Sequence, residues 1–191
     1  MSELDKLVQR CQQGELAAFT NLFRRYEARM YRLAVTILHE EQEAEDAVQD
    51  ACLHVFERIK QYRADSSFET WLTAVVVNVC RDRLRRRRVR RGLPLERFHG
   101  QAGSGDMTER VTDELRRQTL WSLVDRLQEK YRLPIILHYH ESLSCGEVAE
   151  ILALRTATVY SRLNTARVQL RAMLQEELER KAERPGVEYV E

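Results

Sequence analysis

From Phe68 to Arg91 the chain meets neither a glycine nor a proline, and Phe68, Trp71, Leu72, Val75, Val76 and Val79 recur at three- and four-residue spacing. That spacing gathers them on one side of a helix. The same run then changes character without a break, because residues 81–91 hold eight arginines opposed only by Asp82. One element is thus apolar along a side and densely cationic at an end. A guanidinium keeps its charge and matches phosphate oxygens with a planar fork of donors, so such a cluster is the electrostatic footprint of a nucleic-acid backbone contact. The plainer alternative is a solvated helix end or a basic linker. The stretch opens with the polar loop Asp65, Ser66, Ser67, and the neighbours Phe68, Trp71 and Asn78 favour the first reading, since aromatics beside cations are what single-stranded bases stack on. Periodicity alone would assign Trp71 to core packing.

Breakers are scarce throughout: 7 glycines and 3 prolines stand among 191 residues, 32 % of them charged. The expected fold is all-α, with two small helical domains joined by a flexible linker. The formal net charge of +1 conceals a segregation, since residues 40–50 carry six acids and no base. Acid in one place and arginine in another imply two partners, a basic protein surface and a nucleic acid. The acids lack the histidine or glycine-rich loop that would accompany catalytic or metal-binding carboxylates. Cys11, Cys52, Cys80 and Cys145 form no C-x-x-C pair and read as reduced thiols. His138, His140 and Cys145 lack a second paired motif, so neither a metal nor a cofactor is expected. There is no signal pattern at the amino terminus and no run near the ~18 apolar residues of a membrane span. A cytoplasmic protein with no membrane insertion follows.

Taken in order, Leu4 to Cys11 is a short amphipathic segment, and a long helix runs from Glu15 to Leu38 with Arg24, Arg25, Arg29 and Arg32 on its solvated side. A second helix, Glu41 to about Ile59, turns Ala44, Ala47, Val48, Ala51, Val55 and Ile59 inward and its acids outward. Carboxylates near a helix start interact favourably with unpaired N–H groups, but six exceed that need, which points to an interaction face. Periodicity is lost after Gly92. Residues 93–111 read as a linker between a domain at 1–92 and one at 112–178, with a charged tail at 179–191. Leu115 to Leu127 and Tyr131 to Tyr139 are helical, Pro134 falling in a first turn. Ser144 and Glu147 form an S-x-x-E capping box that starts a short helix. A turn at Ala153–Arg155 follows, and Thr156 caps a longer helix turning Val159, Leu163, Ala166, Leu170 and Leu174 inward. This is a helix-turn-helix unless it is an ordinary helical hairpin, and Thr158, Tyr160, Ser161, Arg162 and Asn164 stand where such helices meet base edges.

Two stretches carry a family resemblance. AEDAVQDACLHVFERIKQYRADSSFETWLTAVVVNVCRDRLRRRRVR, Ala44 to Arg90, resembles region two of bacterial sigma factors, and LSCGEVAEILALRTATVYSRLNTARVQLRAML, Leu143 to Leu174, resembles their region four. Together they make the chain similar to the two-domain extracytoplasmic-function (ECF) sigma factors. The resemblance implies a promoter-specificity subunit, with no catalytic activity, that binds core RNA polymerase through Glu45, Asp46, Gln49 and Asp50. It implies contact with the minus-ten element through Tyr62, Ser66, Phe68, Trp71 and Asn78, with Arg81 and Arg85 on phosphates. It assigns minus-thirty-five DNA to Thr158, Tyr160, Ser161 and Arg162, with Arg155 and Arg167 nearer the backbone. An anti-sigma factor is an implied further partner, in a stress or envelope response. The chain departs from the family pattern at Ala153, usually glycine, at Arg155, where serine commonly caps, at Tyr160 and Thr165, usually basic, and at Cys145, usually aromatic. The alternative is a free-standing helix-turn-helix regulator. It would leave the acidic helix without a role, and no dimer seam is legible.

Overall fold

The computed structural model describes residues 2–91 and 119–182, and every regular element among them is helical. The all-α expectation holds. Helix α1, Glu3–Gln12, starts at a capping box in which the Ser2 hydroxyl accepts from the Asp5 N–H and the Asp5 carboxylate accepts from the Ser2 N–H. Gln12 then ties α1 down by donating to the carbonyls of Ile59 and Tyr62, at 3.0 and 2.8 Å. Helix α2, Leu16–Leu38, ends at His39 in the left-handed region, φ 60°. Helix α3, Glu41–Arg58, runs on into a single 3-10 turn, Ile59–Gln61. Helix α4, Phe68–Arg91, is the unbroken element read from the sequence.

Leu22, Met30, Leu33 and Ile37 of α2 are buried, as are the α3 face Ala44, Ala47, Val48, Ala51 and Val55 and the α4 residues Leu72, Val76, Val77 and Cys80. The small side chains of α3 let its backbone approach closely, and each large aliphatic buried contributes about 1.5–3 kcal/mol. The buried face of α4 is broader than its apolar spacing implies: Thr70 and Thr73 are also covered, while Trp71 and Val75 are only half-buried. The reason is that α4 is packed on two sides, by α2 and α3 and by a helix of the second domain. Thr73 remains satisfied by donating to the Glu69 carbonyl at 2.7 Å.

The second domain comprises α5, helical over 119–125, α6, Glu129–Ile135, α7, Cys145–Ile151, and α8, Thr156–Ala182. Because α6 begins at Glu129, Pro134 sits inside the helix rather than in its first turn. It has no N–H to give the carbonyl one turn back, and the ladder beyond it widens into a π turn, Ile136–His140. Helix α8 extends through Ala182, past the boundary read at 178. Its last fully buried residue is Ala166, Leu170 and Met173 still pack partly against the core, and Leu174, expected inward, is 38 % exposed. The expected linker, 93–111, lies outside the described residues, as does most of the tail.

Two features of the α7–α8 turn correct the sequence reading. The N–H groups of Thr158 and Val159 bond to the Arg155 carbonyl, so the cap position falls to Arg155 rather than Thr156, and an arginine side chain has no acceptor to offer there. Ala153 keeps the left-handed conformation, φ 52°, that glycine would supply. A side chain there costs roughly 1–2 kcal/mol, so Ala153→Gly is expected to stabilise the protein by about 1 kcal/mol after its own entropic cost. A rise in the denaturant midpoint at unchanged slope is the check; a fall would mean that the turn does not carry this strain.

Candidate polymerase and nucleic-acid interfaces

The acidic helix is presented by its packing. With Ala44, Ala47, Val48 and Ala51 turned to the core, Glu45, Asp46 and Gln49 stand exposed and Asp50 half-buried. Four of the acids on or beside this face are not free. Arg83 of α4 reaches Asp50 at 2.5 Å, Asp46 at 3.4 Å and Glu43 at 3.6 Å, and Arg87, one turn on, reaches Glu40 at 3.5 Å. Partial burial opposes the Arg83 charge, but the hydrogen bond and charge of Asp50, with those of Asp46, outweigh it and raise its pKa. The arginine cluster therefore divides. Arg83 and Arg87, four residues apart and on one face, pair with acids of α3 and its amino-terminal cap, while Arg85 and Arg86 point to solvent. Neither Arg83 nor Arg87 was singled out by sequence reasoning, although their spacing opposite an acid-rich helix was the available signal. Leu53 and Phe56, 63 % and 51 % exposed, continue the outer stripe of α3 beyond Gln49, and the Phe56 ring meets Phe19 edge-on at 4.9 Å.

An aromatic cluster sits where the loop enters α4. Ring centroids lie 5.3 Å apart for Tyr62 and Trp71, 5.8 Å for Tyr62 and Phe68, and 5.7 Å for Phe68 and Trp71. The Tyr62 hydroxyl donates to the Ser66 carbonyl at 2.7 Å, which fixes the loop, and the Ser67 hydroxyl accepts the Thr70 N–H at 3.0 Å, which caps the helix. Tyr62, Ser66 and Trp71 are half-buried and thus partly accessible, whereas Phe68 is 4 % exposed and packs on Tyr26. Phe68, expected to contact a base, thus has no open face and instead packs against Tyr62 and Trp71. Trp71, Asn78 and Arg85 are spaced by seven residues and share a side of α4; Asn78 is exposed, and so is Arg85, which is 3.4 Å from Asp82. Arg81 faces the second domain, 3.3 Å from Glu129.

On α8, Tyr160 and Ser161 are exposed and Thr158 and Arg162 half-buried. Arg155 is exposed just ahead of the helix, and Arg167 donates to the Tyr139 hydroxyl at 2.8 Å. The capping box of α7 is complete, the Glu147 carboxylate accepting from the Ser144 N–H at 2.9 Å while the Ser144 hydroxyl accepts from the Glu147 N–H at 3.3 Å. The Ser144 hydroxyl and N–H hold the Glu147 carboxyl below its ordinary value, with lesser help from Thr70 and Arg29.

His138 spends a ring nitrogen on the Leu143 carbonyl at 2.7 Å and His140 lies 3.1 Å from Glu141. Burial pushes the Cys52 and Cys80 thiols up to about 12, which keeps them in the unreactive protonated form. Arg29, read as merely solvated, is bonded to Glu141 of the second domain at 3.0 Å. Among the described residues, no helix is long and apolar enough to cross a membrane.

Comparison with known proteins matches both ends of this geometry. Residues 22–90 match the family Sigma-70 region 2, and residues 117–170 match Sigma-70, region 4. The ECF RNA polymerase sigma factor SigM of Mycobacterium tuberculosis is 32 % identical over 161 residues, covering 84 % of this chain and 79 % of the relative. Among solved structures, CnrH in complex with the cytosolic domain of CnrY is similar with a TM-score of 0.65 at 24 % identity, over 89 % of this chain and 96 % of the other. The sigma factor RpoE, solved with the anti-sigma factor NepR from Bartonella quintana, gives a TM-score of 0.62 at 21 % identity, over 82 % and 96 %. Those two likenesses concern the fold. The family matches and the relative settle the rest: the chain belongs to the extracytoplasmic-function group of RNA polymerase sigma factors.

Proposed function

We propose that the α3 face of Glu45, Asp46, Gln49 and Asp50, extended by Leu53 and Phe56, docks on core RNA polymerase, and that the pocket of Tyr62, Ser66 and Trp71 receives bases of the melted minus-ten strand. Asn78 and Arg85 follow that strand along α4, and Arg81 joins them once it leaves Glu129. The start of α8, with Arg155, Thr158, Tyr160, Ser161, Arg162 and Arg167, lies along minus-thirty-five duplex. The observation that carries this reading is the half-open aromatic pocket with exposed Asn78 and Arg85 on the same side of one helix. Stacking is worth roughly 1–3 kcal/mol per base and needs an accessible ring beside a cationic track.

In this reading residues 1–92 and 112–178 act as separate units on the two promoter elements, and the protein does its work in the cytoplasm without a catalytic step of its own. An anti-sigma factor is its regulator, a partnership supported by the complex in which its structural neighbour RpoE was solved. The test is run-off transcription from the promoter upstream of its own gene, using purified core polymerase with and without the protein. A transcript that requires the protein is the expected result. No transcript, together with tight binding of the protein alone to duplex DNA, would overturn the reading.

A further inference from the structure

Tyr139 stands where a regular helix would not put it. Ile135 and Ile136, four and three residues before it, are 4 % and 0 % exposed, and on an unbroken α-helix Tyr139 would share their buried face. Pro134 interrupts the ladder and the π turn Ile136–His140 follows, which rotates the residues near its end by up to about 100° against the regular helix. Tyr139 is 51 % exposed as a result. Its ring meets His138 edge-on at 4.8 Å, and His138 is itself fixed on the Leu143 carbonyl at 2.7 Å. A large aromatic is thus turned outward and held there.

What it reaches is α8. The Tyr139 hydroxyl oxygen accepts from Arg167 Nε at 2.8 Å, and the guanidinium carbon lies 5.8 Å from the centre of the ring. Both side chains are exposed, so the contact adds little to stability, and its consequence is orientation. With Nε engaged, the two terminal nitrogens keep their fork of donors. The contrast with Arg83 is one of charge. Arg83 is matched by carboxylates of α3, whereas a phenol is neutral, so Arg167 has its geometry set without its charge being cancelled. A guanidinium oriented before binding and still fully charged is suited to a phosphate. Tyr160, seven residues before Arg167, shares its side of α8 and is 61 % exposed. Arg171, exposed one turn on, continues that side.

We propose that Tyr139 is a positioning residue for minus-thirty-five DNA: its hydroxyl and ring hold Arg167 so that Nη1 and Nη2 meet a backbone phosphate beside the groove that Tyr160 and Ser161 enter. The proposal rests on the assignment of Arg167 to that DNA. Tyr139 lies behind the contact and acts through Arg167. The pair adds affinity without sequence preference, because phosphate contacts position the protein and carry no base information.

The experiment uses holoenzyme, assembled from core polymerase and the full chain. Its probe is a fluorescent duplex carrying the minus-thirty-five element of the promoter upstream of the protein's own gene and stopping short of minus-ten, so that melting does not contribute. Anisotropy titrations over a range of salt compare wild type with Y139F, R167A and Y139F/R167A; a duplex with a scrambled minus-thirty-five element runs alongside, and melting curves accompany each protein. R167A should bind about tenfold more weakly and lower the slope of log affinity against log salt by about one. Y139F keeps the ring and removes the oxygen, and should lose about threefold, the scale of one hydrogen bond, by the same factor on both duplexes and with an unchanged melting temperature. In the R167A background it should cost nothing further, which is the signature of action through Arg167. A structural defect, or direct contact of Tyr139 with DNA, would add to the R167A loss and overturn the proposal, as would a Y139F loss confined to the intact element. A Y139F protein that binds like wild type would overturn it while leaving Arg167 on the phosphate. An R167A protein of normal affinity and salt slope removes the assignment of Arg167, and the proposal with it.

Discussion

Replacing both Asp46 and Asp50 with lysine is expected to weaken core-polymerase binding by at least about a hundredfold, because like charges set across an interface cost several kcal/mol and each 1.4 kcal/mol is tenfold. Sequence reasoning would add that the fold survives unchanged. The geometry says otherwise, since both carboxylates hold Arg83, whose side chain is only 19 % exposed. The reversal sets two ammonium groups against that guanidinium and should cost on the order of 1–2 kcal/mol of stability, between the values for exposed and buried pairs. Adding Arg83→Glu sets an opposite charge against both lysines, with Glu43, 3.6 Å from Arg83, the one like-charged neighbour it gains among the acids paired here, and restores no acid to the outer face. The triple variant should therefore melt near wild type and still fail to bind polymerase in a pull-down or anisotropy titration. If it regains binding, the two aspartates act only through the fold.

Trp71→Ala should slow promoter opening by roughly ten- to a hundredfold, the equivalent of about 1–3 kcal/mol for a stacked base, while polymerase docking stays within about twofold. Trp71 is half-buried, so part of its surface supports Tyr62 and Phe68 and part is available to a base. Stopped-flow fluorescence of a probe at minus-ten would follow opening, and a promoter already unpaired there would bypass it. Recovery on the unpaired template supports a role in melting. An equal defect on both templates, with a normal melting curve, places Trp71 in holding the strand after it has opened; a lowered melting temperature would make its role structural.

How much of this was legible depended on whether a feature is local. The helix starts at Ser144 and the single helix from Phe68 to Arg91 follow from contacts between residues three or four apart, and both appear as read. The capping box at Ser2 uses the same chemistry with an aspartate in place of glutamate, so its signal too lies within three residues. The Arg155 cap was misassigned because a threonine one position later looked the better acceptor, while the backbone chose its first carbonyl from the geometry of the turn. What the sequence does not display is which charge meets which. Arg29 and Glu141 are 112 positions apart, and nothing in either segment names the other; an outward arginine and a solvated one look alike until the second domain is in place. The same holds for Phe68, whose period allows both a core ring and a stacking ring until Tyr26 covers it.

Helix α8 has 27 residues, a length of about 40 Å, and it is anchored at one end only, its last fully buried residue being Ala166. It is consequently a lever arm. A change in domain orientation of about 10° at the turn shifts the far tip by roughly 7 Å over that length, more than twice the 3.0 Å of the Arg29–Glu141 contact between the domains. The tip is therefore where small angular differences among the free, regulator-bound and polymerase-bound chain become large displacements. The exposed Leu178 near that end, 60 % accessible, travels with it, so the surfaces this apolar side chain can touch change with domain angle more than those of any residue in the core.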